Sequence, residues 1–188
     1  MGSLRKIIGA GLRAGLAFAR RQDGGPATEF VYVAPIFIAL IFGTAQTAVI
    51  YLANAYLETA AEDAARMVLT NNATTTNSSN QTVPMTAAQF QSAVCNNIGA
   101  LFTCSNIMVS LAPATSTTSI STAAPAFNAN GTLANTLPYT LPTPGQIAVL
   151  QVLYQWPVVG LPLGFNFANL GNGTYLMMST QVFMVEAQ

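Results

Sequence analysis

The sequence predicts an α+β protein: a long N-terminal transmembrane helix that runs on into a small exported head, where a short helix accompanies an antiparallel sheet of about three strands. Three observations predict it. Between Glu29 and Glu58 lie 28 uncharged residues, most of them apolar. The basic residues Arg5, Lys6, Arg13, Arg20 and Arg21 all precede that run, whereas residues 67–185 carry no charge. Two further apolar runs, 147–156 and 174–185, are bounded by segments rich in glycine and proline.

Composition narrows the function classes first. Of 188 residues, 52% are apolar and 6% are charged, about a quarter of the charged fraction usual for a soluble domain. A head without charge is poorly soluble as a free monomer, which points to packing in an assembly, a place outside the cytosol, or both. The formal net charge is zero, so no overall field attracts nucleic acid. The chain has no histidine, hence no imidazole base or imidazole ligand.

Residues 1–24 form a basic cytoplasmic leader. As a helix it would place leucine, isoleucine and phenylalanine opposite the arginines, an amphipathic segment at a membrane surface. A flexible leader that only orients the next helix, or an organelle transit peptide, fits the same composition. Residues 25–56 form the transmembrane helix. The stretch from Glu29 to Glu58 would span roughly 42 Å as a helix, more than the ~30 Å hydrocarbon core. With cations only on its N-terminal side, the N-terminus stays in the cytoplasm and the head is exported. A cleaved secretory signal is the rival, with small residues at Gly43 and Ala45, but the apolar stretch runs on past them.

Pro35 and Gln46 interrupt the apolar run. The proline removes a backbone hydrogen bond, and a neighbour can take up the freed carbonyl. An amide in lipid wants a partner on another helix. Together they suggest a helix that packs against others; a lone anchor with a harmless kink is the plainer reading. Residues 57–70 continue the helix outside the membrane, with Glu62 and Arg66 four apart and Ala60, Ala61, Ala64 and Ala65 forming a smooth face.

Residues 71–85 read as a polar, low-complexity linker and 86–188 as the exported α+β head. Thr86 and Gln89 have the spacing of a capping box. Phe90, Val94, Ile98 and Leu101 then follow helical spacing. Ile107–Leu111 reads as a strand, 112–146 as a long loop, 147–156 as a strand buried on both faces, 157–173 as a connecting loop and 174–185 as the last strand. Cys95 and Cys104, with eight residues between them, are expected to form a disulfide in an oxidising compartment, two buried thiols being the alternative.

No catalytic constellation emerges. Serines and threonines abound, but no base stands by to activate one. The carboxylates Glu58, Glu62 and Asp63 lie on a solvated helix face. No phosphate-binding glycine loop, metal cluster or cofactor motif is present in the sequence. Five Asn-x-Ser/Thr sequons begin at Asn72, Asn77, Asn80, Asn130 and Asn172, mostly what chance gives in so Asn- and Thr-rich a chain.

The stretch DGGPATEF at 23–30 resembles the processing site of type IV prepilins in the variant of the tight-adherence (Tad, or Flp) pili. The wider stretch resembles the TadE-like family through Glu29, Phe30, Pro35, Gly43 and the run from Leu57-Glu58 to Ala64-Ala65-Arg66, about 45 residues in all. The resemblance implies cleavage between Gly24 and Gly25, so that Glu29 becomes the fifth residue and Phe30 the sixth. It implies that the Glu29 carboxylate neutralises the freed amino group of another subunit. Family members often carry an acid near the middle or outer part of the anchor, where this chain has Gln46. The implied protein is a pilin-like, non-enzymatic minor pilin or pseudopilin. It would cross the bacterial inner membrane once, with its head in the periplasm, and enter an extracellular pilus. Its partners would be the membrane, other pilins, the assembly machinery and a prepilin peptidase. An anchored envelope or adhesive domain that joins no filament is the alternative.

Overall fold

The computed structural model describes residues 25–98, 101–160 and 164–187; the expected leader, Gly24 included, lies outside them. Helix α1 (Gly25–Leu69) is continuous through Pro35. Strands β1 (Thr74–Thr76) and β2 (Thr82–Pro84) follow, then helix α2 (Ala87–Ile98) and strands β3 (Ile107–Ala114), β4 (Ile147–Pro157) and β5 (Thr174–Met184). The last three make an antiparallel sheet in the order β3-β4-β5. The predicted α+β architecture is therefore what the chain adopts.

Packing follows from the side-chain alternation of β4. Ala148, Leu150, Val152 and Tyr154 point into a core shared with Leu57, Ala61 and Ala64 of α1 and with Phe90 and Val94 of α2. Val149 and Gln151 point the other way, beneath the long loop near Ala123 and Pro125. A strand covered on both faces has no need of polar alternation, which is why β4 is apolar at nearly every position. The alanines of α1 let the helix lie close on the sheet. The smooth face seen in the sequence is thus occupied by the chain's own head.

Helix α1 ends at an asparagine. Asn71 adopts φ +56°, its N–H donates to the Val68 carbonyl at 3.1 Å and the Asn72 N–H donates to Met67 at 2.9 Å, a Schellman closure. The end of the chain is tied to the same place: the Glu186 N–H donates to the Leu69 carbonyl at 3.1 Å, and Asn71 Nδ2 donates to the Glu186 carbonyl at 3.2 Å. The expected capping box of α2 is closed, with the Gln89 N–H donating to Thr86 Oγ1 and the Thr86 N–H to Gln89 Oε1 at 2.9 Å.

Two readings need correcting. The stretch 71–85 is not a plain linker. It holds the β1–β2 hairpin, turned at Asn80 (φ +60°), and Ala73 is buried against the core. Threonine-rich strands with one exposed face carry no apolar alternation, so the pairing left little trace in the sequence. Leu101 lies past the end of α2 and is exposed. Phe102 is buried in its stead, its ring edge-on to Tyr154 at 4.8 Å.

Cys95 and Cys104 are bonded, joining α2 to the short turn before β3. Gln91 Nε2 reinforces that junction by donating to the Cys104 carbonyl at 3.0 Å and the Ile107 carbonyl at 2.6 Å. Burial pushes the Tyr139 phenol from 10.0 up to about 12, and its hydroxyl donates to the Met85 carbonyl at 3.1 Å.

Cys95→Ser with Cys104→Ser is expected to lower stability by roughly 2.5–3 kcal/mol, read from denaturant unfolding of the oxidised protein and matched by adding reductant to the parent. Ala61→Leu, which adds volume at a fully buried contact, is expected to cost ~1–3 kcal/mol, whereas Thr59→Leu on the exposed side stays within about 0.5 kcal/mol. Because the folded state favours the neutral Tyr139 phenol, its stabilisation is present below pH 10.0 and is lost as pH rises towards about 12. Alkaline titration by circular dichroism checks this, and Tyr139→Phe should remove that step.

Candidate functional site

The candidate site is the N-terminal part of α1, where the sequence placed its chemistry. The segment Thr28–Leu69 is the one helix among the described residues long and apolar enough to cross a membrane. Its first turns are bare. Glu29, Phe30, Val31, Tyr32 and Val33 are all exposed, and so are Ile36, Phe37 and Ile38. Pro35 is exposed within this stretch and the helix passes through it unbroken.

Glu29 has no cation near it on the described chain. Arg66 is the only one there, and it lies at the far end of the same helix, roughly 55 Å along the axis. Any other cation that pairs with the carboxylate lies outside the described residues. Gly25 is exposed, and a side chain built there would meet no atom within 4 Å. Packing among the described residues therefore does not demand a glycine at that position.

Past Ile38 the helix changes character. Ala39 is 2% exposed and Ile50 is 8% exposed, and Gly43, Gln46 and Thr47 on the same face are half-buried. This stripe continues through Ala53, Leu57 and Ala60 to Val68, so one face is covered over roughly 44 Å. The upper part is covered by the sheet and α2. The lower part is covered by the loop between β4 and β5: Phe165 and Phe167 line a recess with Ala39, Gly43 and Thr47.

Gln46 makes the most specific contact there. With its amide oriented by hydrogen bonding, the side-chain nitrogen donates to the Val159 carbonyl at 3.2 Å and the oxygen accepts from the Val159 N–H at 3.1 Å. The partner of this amide lies in the chain's own head rather than on another helix. Thr44 and Thr47 satisfy their hydroxyls locally, donating to Ile41 at 2.9 Å and Gly43 at 2.9 Å.

The sequence residues thus fall into two groups. Glu29, Phe30 and Pro35 share the bare end of the helix. Gly43 and Gln46 belong to the covered stripe. Cys95 and Cys104 are remote from both, in the head. The loop that meets Gly43 and Gln46 was missed. Its signal was available: Val158, Val159, Phe165 and Phe167 are too apolar for a loop in water.

Residues 25–66 match the family model of the TadE-like proteins. The matched segment is the anchor and its outer extension, ending at Arg66, and the likeness does not reach the head. The TadE-like family is a structural family associated with Tad pilus systems. No curated protein and no solved structure matches the chain.

Proposed function

We propose that this chain is a minor pilin or pseudopilin of a tight-adherence pilus, held in the bacterial inner membrane by α1 with its head in the periplasm, and active in starting or capping the filament. The observation that carries the reading is the TadE-like segment itself, which begins at Gly25, the residue that cleavage after Gly24 would make the first. Three features of the site support it. Gly24 has no side chain, as a peptidase gripping an extended backbone there would favour, and Gly25 after it is exposed with no described atom near the place of a side chain. Glu29 has no cation on the described chain other than distant Arg66, and a lone carboxylate in lipid is costly until a cation joins it. The large side chains Phe30, Tyr32, Ile36 and Phe37 stand clear of the head on the stretch where neighbouring helices would pack.

In this reading the prepilin peptidase removes the leader, other pilins surround the bare helix end, and the amino group of a neighbouring subunit meets Glu29. A carboxylate that merely favours a helix start would leave Gly24 without a task, and an anchored envelope domain outside any filament would leave both Gly24 and Glu29 without a pairing or processing task.

Co-expression with the prepilin peptidase of the same system, followed by mass spectrometry of the intact chain, is expected to give a mature protein beginning at Gly25. A chain that keeps its leader would count against the assignment. Glu29→Ala is expected to leave cleavage intact and to abolish incorporation into sheared filaments, while Glu29→Asp retains part of it; normal incorporation of the alanine variant would remove the pairing role.

A further inference from the structure

The covered stripe and the membrane span compete for the same part of α1. A hydrocarbon core of ~30 Å takes up about 20 helical residues. Counted from Phe30, the span reaches about Val49. It cannot slide far towards the N-terminus, because that would draw Asp23 and the arginines before it into lipid. Yet the chain's own loop already covers the helix down to Ala39. The part of α1 before Ala39 is ~20 Å of helix, too little to cross alone. Some of the head therefore lies within the span.

The segments at that depth are suited to it. Val158–Gly160 and Phe165–Phe167 flank α1 without a charged residue. Val159 is 73% exposed and Phe165 is 52% exposed, so both present apolar surface away from the protein. Backbone is the usual obstacle, because an irregular segment in hydrocarbon leaves N–H and C=O groups without partners. Here Gln46 takes both polar groups of Val159 at once. An amide inside an apolar helix is itself unfavourable in lipid, and this one pairing answers both costs.

We propose that two described parts of the β4–β5 connection, Val158–Gly160 and Phe165–Phe167, enter the outer leaflet of the membrane beside α1, with Val159 and Phe165 against acyl chains and Gln46 as the positioning residue that carries the Val159 backbone into lipid. The partner is the hydrocarbon of the bilayer, continuous with the lipid that surrounds the bare face of the anchor. The inference rests on the reading of α1 as a membrane span and adds a second, non-helical insertion to it. The head is thereby held down on the membrane at a fixed tilt, a different state from a domain hanging on a free tether.

The test uses the full chain in vesicles of phosphatidylethanolamine and phosphatidylglycerol, with one environment-sensitive label at a time. Phe165→Cys reports on the loop, Phe42→Cys on the anchor at similar depth and Ser121→Cys on the exposed head; the native cysteines are bonded and do not label. The expected result is that the label at 165 matches the one at 42: blue-shifted, quenched by lipids carrying a nitroxide on the acyl chain, and protected from aqueous iodide, to which the label at 121 is open. Adding Q46L should abolish the lipid quenching at 165 and leave that at 42 unchanged. Iodide quenching at 165 with lipid quenching at 42 would overturn the loop insertion while keeping the anchor. Protection of 165 from both quenchers would mean that protein, not lipid, covers the loop, and would also overturn it. Iodide quenching at 42 would overturn the anchor and the insertion together. Lipid quenching at 165 that survives Q46L would remove the role given to Gln46.

Discussion

A single uninterrupted helix has to satisfy two surroundings, and the division between them governs the whole structure. From Thr28 to Ile38 every side chain of α1 is exposed except that of Ala34, which is half-buried. From Ala39 to Val68 one face belongs to the head. The alanines at 53, 60, 61, 64 and 65 let sheet and helix approach closely, and each is buried. Larger residues there would hold the sheet off, and the apolar face of β4 would lose the partner that lets it be so apolar. The helix is thus both anchor and half of the hydrophobic core, so the head cannot be cut from it without exposing both.

A head without charge must satisfy its polar groups by other means, and amides do this. Gln151 Nε2 donates to the Ala123 carbonyl at 3.1 Å and holds the long loop over the outer face of the sheet. Gln155 Nε2 donates to the Gly131 carbonyl at 2.6 Å, and Asn172 Nδ2 donates to Gln155 Oε1 at 3.0 Å. These bonds join two Asn-Gly-Thr turns, at 130–132 and 172–174, whose asparagines accept from their own threonines at 2.7 Å each. The turns touch so closely that a side chain at Gly171 would meet the Ala129 carbonyl at 2.3 Å. The sequon asparagines Asn130 and Asn172 are therefore structural, as Asn80 is in the hairpin turn. Amide pairs of this kind keep their strength whatever the salt, unlike exposed ion pairs.

What the sequence revealed tracks how locally each feature is determined. The anchor, the capping box at Thr86 and Gln89, and the doubly buried β4 each follow from a contiguous run of residues, and each was legible. The β1–β2 hairpin was not, because its threonines carry no apolar period and its turn rests on one left-handed asparagine. Neither was the partner of Gln46. An amide in an apolar helix signals that something must pair with it, and the closest precedent is another helix. The true partner is a backbone segment more than a hundred positions away, and no periodicity encodes such a contact. The apolar loop residues were visible, but only the fold shows which part of α1 they meet.

The position of Glu29 acquires its meaning from this division of the helix. The carboxylate lies on the bare stretch, ten residues before the first position that the head covers, Ala39. A subunit approaching from the side therefore meets no head at that level, only side chains such as Phe30 and Tyr32 and the acid itself. Electrostatic attraction in a low-dielectric medium favours the approach whose cation comes within a few ångströms, and Arg66 on a neighbour in the same register would stand as far away as the chain's own. In the proposed function, an amino terminus created at Gly25 would be a cation near the right depth, offset from Glu29 by one helical turn. In the proposed pairing a neighbour would be displaced along the axis to bring the two together, so that pairing would set an axial step between subunits as well as an affinity. The head, fixed to the same helix and pressed towards the membrane by its loop, would transmit that step to the outer surface of the assembly.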